Sequence, residues 1–425
     1  MPDLKRAEGQ SLAHNAGWML FGQVLSVVCQ AASFMLLARL LGSMEYGIYA
    51  GAYAMVSLLS PYSPLGSHFT LLRHVSQDSE QFPVYWGNVL VTTFVCGGIF
   101  VVALSWIGPH AAHDFTALLV FCLAVSDCLC NQLIDASSRV FQAFENLRVT
   151  ATFALLANFL RAVSAGIMLW KLKHGTALEW VIVTMTISIA AAASAVTIVI
   201  KQYGRPRFSF SLLRRRAGEG VVFALSSSTM AIYNNVDKAM LGHYGMNVAN
   251  GIYSMAYRVI DIATMPIAAI HAAAFPRFFR KGADGVELTS KYGAKLLSRT
   301  LPLAIAMLVG MLVCGPLVPI LAGKGFAQSV VALHWLCLIP VFRSFQLSGG
   351  DALTGAGFLR LRLGIQAVAA LSNFAVNLYL IPHFGWIGAA WSSLATDGAL
   401  AVSNWLFVFI VRRMRLRQPA SPIFS

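Results

Sequence analysis

Apolar residues along this chain gather into long runs separated by short polar breaks, most of them basic. A bilayer core asks for about 20 apolar residues per helix, and about twelve stretches meet that demand. Their approximate limits are 16–37, 47–66, 89–107, 115–134, 151–170 and 180–200, then 221–241, 252–275, 301–321, 330–347, 363–381 and 387–411. The pattern predicts an all-α integral membrane protein with about twelve transmembrane helices. The first run begins at Ala16 and is too long for the core of a signal peptide, so no cleavage is expected.

A basic stretch, KQYGRPRFSFSLLRRRAGEG, divides the runs six and six and prompts a search for repetition. Leu41-Gly42 followed by GIYAGAY (residues 47–53) meets Leu241-Gly242 followed by GIYSMAY (residues 251–257); ANF at 157–159 meets SNF at 372–374. Six spans per half make the repeats parallel, two pseudo-symmetric six-helix bundles, and transporters built so bind substrate between the halves. The predicted division is residues 1–200 for the first bundle, 201–220 for a basic cytoplasmic linker, 221–411 for the second bundle and 412–425 for a basic cytoplasmic tail.

Composition agrees with the runs. Apolar residues make up 57% of the chain, charged ones 11%, and mean hydropathy is +0.68, which leaves too little polar cover for a soluble fold. The net charge of +14 sits in short loops instead of on one domain face, so it points to the positive-inside rule and not to nucleic acid. Only Arg39, Lys171, Lys173 and Lys324 fall on the sparsely charged side, which puts both termini in the cytoplasm. All seven cysteines lie in apolar segments without paired loop spacing, and Cys128 and Cys130 read as apolar fillers. No metal site and no cofactor is expected. There is no P-loop and no HExxH or G-x-S-x-G pattern, and the outer loops are short, so no catalytic residues and no enzyme activity are expected.

Polar residues within the runs are the candidate site. YNNVDKAML places Asn234, Asp237 and Lys238 in the seventh span, and the eighth carries Arg258 and Asp261 one turn apart. The repeat supplies an internal control: the counterparts of Asp237, Lys238 and Arg258 are Leu37, Ala38 and Ala54, so these charges belong to the second half alone. An Asp237–Arg258 pair across antiparallel spans is one reading, and a cavity-lining cargo or coupling site is the other. Lys238 lies near the outer end of its span, so snorkelling to the outer interface is the structural alternative to a place in the cavity. Arg161 and Arg343 are basic residues without a local acid. Asp127 and Asp397 are their candidate partners, or else proton or ion relays. The tyrosines of the repeated motif, with Tyr46, are expected to form an aromatic belt or to pack helices, with sugar stacking as the alternative. Pro61 and Pro64 are expected to break span two, and Pro266 and Pro276 to kink span eight.

These residues carry a family resemblance. The twelve-span layout, GIYSMAYR (residues 251–258), the preceding Asp237 and NLYLIPHFGWIGAAWSS (residues 377–393) resemble the polysaccharide transporters of the multidrug/oligosaccharidyl-lipid/polysaccharide exporter superfamily. The resemblance implies two six-helix bundles around a central cavity in a bacterial cytoplasmic (inner) membrane. It implies alternating-access flipping of a polyprenyl-pyrophosphate-linked oligosaccharide, an O-antigen or exopolysaccharide repeat unit. The pyrophosphate would then meet Arg161, Arg258 and Arg343, because guanidinium grips phosphate oxygens in a bidentate fork. Membrane lipids, polysaccharide polymerase and chain-length machinery are the further partners implied, and a monomer is expected. The alternatives are a cation-coupled multidrug antiporter of the same superfamily and a membrane-embedded polysaccharide polymerase or ligase.

Overall fold

The computed structural model describes residues 12–416 except 145, 283 and 284, and its regular structure is entirely helical. In chain order the helices are α1 (Leu12–Leu59), α2 (Ser67–Val75), α3 (Phe82–Ala111), α4 (Ala117–Ala124), α5 (Gln132–Ala143), α6 (Leu147–Leu172) and α7 (Ala177–Tyr203). They continue as α8 (Phe210–His243), α9 (Asn247–Gly282), α10 (Val286–Cys314), α11 (Leu317–Ala322), α12 (Ala327–Leu336), α13 (Ile339–Gly355), α14 (Leu359–Phe384) and α15 (Trp386–Leu416). A π-helical turn, Val125–Asn131, joins α4 to α5. Lys5 and Arg6, and the tail beyond residue 416, lie outside the described residues.

Nine helices among the described residues are long and apolar enough to cross a membrane, or ten if α12 and α13, bent by 43° with the turn before α12, count as one broken span. The sequence predicts about twelve, and the difference has two sources. The 48 residues of α1 extend about 72 Å, more than twice the ~30 Å of a hydrocarbon core, and they form two arms that meet at Gly42. There φ is 66° and ψ is 177°, a backbone open to glycine, and a Cβ would meet nothing within 4 Å; conformation, not space, requires the glycine. The second source is α8, whose apolar stretch is diluted from within by Ser226, Ser227, Ser228 and Thr229 and by Asn234, Asn235, Asp237 and Lys238.

Helix ends follow local chemistry. Pro61 and Pro64 stop α1: a 3-10 turn, Ser60–Tyr62, follows, and Gly66 at φ 69° resets the chain into α2. Thr176 and Glu179 form a reciprocal capping box at the start of α7, and the Glu45 carboxylate also accepts the Ala177 amide at 2.8 Å. By contrast Pro266 and Pro276 stay inside a continuous α9.

Contacts group the chain into two compact units, Met1–Val248 and Ala249–Ser425. In the first, Phe82, Trp86, Phe141 and Val199 share one core. The basic stretch 201–220 is docked there. Its first residues finish α7, its last eleven begin α8, and between them Arg207 donates its amide to the Pro83 carbonyl at 2.7 Å while Ser209 donates to Asn88 Oδ1 at 3.0 Å. Two glycines permit the approach: a Cβ on Gly87 would sit 2.3 Å from the Arg207 carbonyl oxygen, and one on Gly66 would sit 2.0 Å from that of Gly220. Glu219 reinforces the seam, contacting His74 at 3.3 Å, Arg73 at 3.8 Å and Arg216 at 2.8 Å. The His74 hydrogen bond first, and then Arg216, hold the Glu219 carboxyl below the ordinary carboxylate range.

In the second unit Phe278, Leu296, Leu353 and Val408 form the core. Outward-facing apolar side chains such as Trp106, Trp170 and Val313 are 70% or more exposed. A chain surrounded by lipid satisfies itself this way, since acyl chains replace the missing apolar partners.

Candidate functional site

A spanning helix pairs its own backbone groups, so its polar side chains must find partners on neighbouring helices or in water-filled space. In the first unit the buried polar centre is Asp127. It lies in the π-helical turn Val125–Asn131, where the widened ladder carries it out of register with α4 and α5. Asn131 Nδ2 donates to its carboxylate at 3.0 Å, and Ser60 Oγ donates to its backbone carbonyl at 3.1 Å while accepting from Gln132 Nε2 at 2.8 Å. Gly97 on α3 permits the turn, since a Cβ there would come within 2.7 Å of the Cys128 carbonyl oxygen. Cys128 and Cys130 are both buried in the protein. Arg161, half-buried on α6, lies within electrostatic reach of Asp127, so two residues singled out separately from the sequence share one neighbourhood.

The seventh-span charges Asp237 and Lys238 meet along their own helix. Asp237 is 3% exposed and accepts the amide of Lys238 at 2.8 Å. Lys238 folds back along its helix to the Asn234 carbonyl and approaches Asp237 at 3.8 Å.

Within the second unit, Arg258 and Arg343 are half-buried, Asp261 is exposed and Asp397 is buried. Asp237, Arg258, Arg343 and Asp397 each have interacting partners. Tyr46 and Tyr253 are fully buried, and Tyr253 shares a hydrogen bond with Ser393 at 2.9 Å, which joins α9 to α15.

The most developed ionic cluster is one that sequence reasoning missed. His271 of α9 meets Asp351 of α13 through Nδ1 at 2.9 Å, and Arg362 of α14 donates to the other carboxylate oxygen at 3.1 Å and to Thr354 at 2.9 Å. Ser348 lies 3.4 Å from His271 Nε2. His271 and Asp351 are both under 5% exposed. Arg362 counted among the loop cations in the sequence, and His271 and Asp351 stand 80 positions apart; the one signal available was an aspartate inside the small-residue run SGGDALTG. Nearby, Asn373 Nδ2 donates to Ser392 and Thr396, each at 3.0 Å, and Asn377 donates to Asn373 at 3.0 Å, so a buried amide ladder ties α14 to α15.

Comparison with known proteins places these features in a family. The family described as "Polysaccharide biosynthesis protein" matches residues 12–281. The chain is 23% identical over 403 residues to a succinoglycan biosynthesis transport protein, ExoT, of Rhizobium meliloti (strain 1021), covering 92% of this chain and 74% of that one. It is 22% identical to a putative O-antigen transporter of Shigella flexneri, covering 93% and 98%. Among solved structures, an inward-facing multidrug resistance MATE family transporter of the MOP superfamily aligns with TM-score 0.71 at 14% identity over 93% of this chain and 96% of that one. A MOP superfamily transporter from Pyrococcus furiosus aligns with TM-score 0.64 at 13% identity over 95% of each. With most of its length matched by one family model, the chain belongs to the polysaccharide biosynthesis protein family, and its multi-pass, all-α fold is that of the solved MOP superfamily structures.

Proposed function

We propose that the protein is a flippase that moves a polyprenyl-pyrophosphate-linked oligosaccharide, an O-antigen or exopolysaccharide repeat unit, across the bacterial cytoplasmic membrane. The observation that carries this reading is the set of arginines within the spans, Arg161, Arg258 and Arg343, all half-buried. Such residues are costly in lipid and mark substrate paths, and their chemistry suits a diphosphate. The names of the relatives, a succinoglycan transport protein, a putative O-antigen transporter and a probable flippase, AglR, of Haloferax volcanii, support the same cargo class. In this reading the halves 1–200 and 221–411 enclose a central cavity that opens to one side at a time. Both termini are cytoplasmic. Asp237 joins Arg258 in lining the cavity, with Lys238, Asn234 and Asp261 beside them, and Asp127 or Asp397 couples an ion. Polysaccharide polymerase and chain-length machinery receive the product.

The test is translocation of a fluorescent lipid-linked oligosaccharide in liposomes by the purified protein. Arg161→Ala is expected to slow translocation by about tenfold or more, the loss of one charge-assisted phosphate contact of about 1.5–3 kcal/mol, with an unchanged size-exclusion profile. A wild-type protein that moves cationic dyes but not the lipid-linked sugar would overturn the reading in favour of drug export.

A further inference from the structure

Each unit holds a buried histidine facing an aspartate that also meets an arginine. In the first unit His68 of α2 lies 3.6 Å from Asp135 of α5, and Arg139 reaches the same carboxylate oxygen at 3.5 Å. In the second unit His271 of α9, Asp351 of α13 and Arg362 of α14 form the corresponding set. The sequence repeat relates the two. His68 and His271 stand 203 positions apart, against 204 for the two GIY motifs, and Asp135 and Asp351 stand 216 apart, against 215 for ANF and SNF. Only the arginine has a different origin: it lies one turn beyond the aspartate in α5, and on the following helix in the second unit.

The copies differ at the imidazole, although both rings are more than nine-tenths buried. His68 Nε2 faces Asp135, but its Nδ1 is buried without a hydrogen-bond partner among the described residues. A neutral ring can leave that nitrogen bare; a charged ring would bury an N–H there with nothing to receive it. His271 has a partner at each nitrogen: Nδ1 meets Asp351 Oδ2 at 2.9 Å, and Nε2 lies 3.4 Å from Ser348 Oγ. A hydroxyl both donates and accepts, so Ser348 can give its hydrogen to the neutral ring or take the N–H of the charged one. Both protonation states of His271 are therefore satisfied, and only one of His68.

We propose that His271 binds a proton, and that proton uptake replaces Arg362 by the imidazolium as the counter-ion of Asp351. A hydronium ion gives its proton to the Nε2 lone pair and leaves as water. With a neutral ring, Asp351 and Arg362 cancel; with a charged ring the cluster carries one excess positive charge, which a buried site sheds. Arg362 is the cation able to leave, since its side chain is partly exposed and already donates to Thr354 at 2.9 Å. His271 stays and donates to the carboxylate as a charged partner. Proton uptake thus tightens α9 on α13 and loosens the start of α14. The assignment needs no particular cargo, so it stands or falls apart from the flippase reading.

Other charges on the surrounding helices face away or lie farther off. Asp261 and Arg277 of α9, Lys295 and Arg299 of α10 and Arg360 of α14 are exposed, and Arg412 of α15 meets Glu287. Arg343 stands eight residues, about 12 Å, from Asp351 along α13, and Asp397 lies at that level, because its neighbour Gly398 faces Phe342.

The test follows the histidine nitrogen resonances of the full-length, isotope-labelled protein in nanodiscs as pH is lowered, with His68→Gln and His271→Gln identifying the two rings. Glutamine keeps one donor and one acceptor group at each site. The imidazolium form is expected at His271 while His68 is still neutral. In Arg362→Gln the ratio of charged to neutral His271 at a given pH is expected to rise about tenfold, because Asp351 loses its competing cation. Amide exchange at residues 357–364 is read in wild type against His271→Gln at each pH, so that intrinsic rates cancel. It is expected to be faster in wild type by about threefold or more at acidic pH only, as local opening of the α14 start. A His271 ring that stays neutral until His68 titrates would overturn the proton site. An unchanged ratio in Arg362→Gln, or equal exchange in the two proteins at every pH, would overturn the exchange of partners.

Discussion

Replacing Asp351 tests the ionic cluster that joins α9, α13 and α14. Its carboxylate lies 3.1 Å from the Arg362 guanidinium, and at an effective dielectric of about 20 that separation corresponds to about 5 kcal/mol of attraction. Desolvation offsets part of this. Asp351 is 4% exposed, but the Arg362 side chain keeps 17% of its exposure, so the stranded cation retains some water. Asp351→Asn is therefore expected to cost about 3 kcal/mol, the lower end for breaking a buried pair. Asparagine has one oxygen to offer, so His271 and Arg362 compete for it and the amide NH2 faces one of two donors. Adding Arg362→Gln removes the stranded charge and gives the amide an acceptor, so the double variant should recover about 2 kcal/mol relative to the sum of the single changes. The assay is a double-mutant cycle on denaturant unfolding of detergent-solubilised protein. Additivity within about 0.5 kcal/mol would refute the argument and show that Asp351 and Arg362 are not energetically coupled.

His68 predicts a pH dependence. It lies in the first turn of α2, just after the second apolar run; burial pushes its pKa down to about 4 from 6.5, against the pull of Asp135 at 3.6 Å and with the push of Arg139. The folded state holds it neutral while the unfolded chain takes a proton below pH 6.5, so stability is full above 6.5 and falls by about 3 kcal/mol as pH drops to 4. His68→Leu should flatten that part of a thermal-melt profile against pH, and a parallel slope in both proteins would refute the assignment. Glu219 acts in the same direction over a lower window: its depressed pKa supplies stability present above the ordinary value of 4.5 and lost as pH falls through the folded value. Glu219→Gln should make the 201–220 segment more accessible to protease at neutral pH, and equal cleavage rates would count against a clamp. Gly87→Val should release the same segment, because its Cβ would lie 2.3 Å from the Arg207 carbonyl oxygen; amide exchange in 204–209 no faster than in wild type would show that the contact is not needed.

The membrane class, the family and the approximate limits of most helices are legible in the sequence alone. The physical reason is that a bilayer grades each segment by itself: a stretch must be about 20 apolar residues long and must bond its own backbone, and both demands are local. The Pro61–Pro64 break and the repeated GIY motif are local too. What tertiary structure decided is which polar side chains meet. The π-helical turn at Asp127, the fold-back of Lys238 onto the Asn234 carbonyl and the docking of Arg207 on Gly87 leave no mark in hydropathy. His271, Asp351 and Arg362 come from three helices and are brought together only by how each helix is rotated against its neighbours. In lipid that rotation is set by side-chain packing and interhelical hydrogen bonds between distant segments, so a one-dimensional pattern fixes the rods but not their faces.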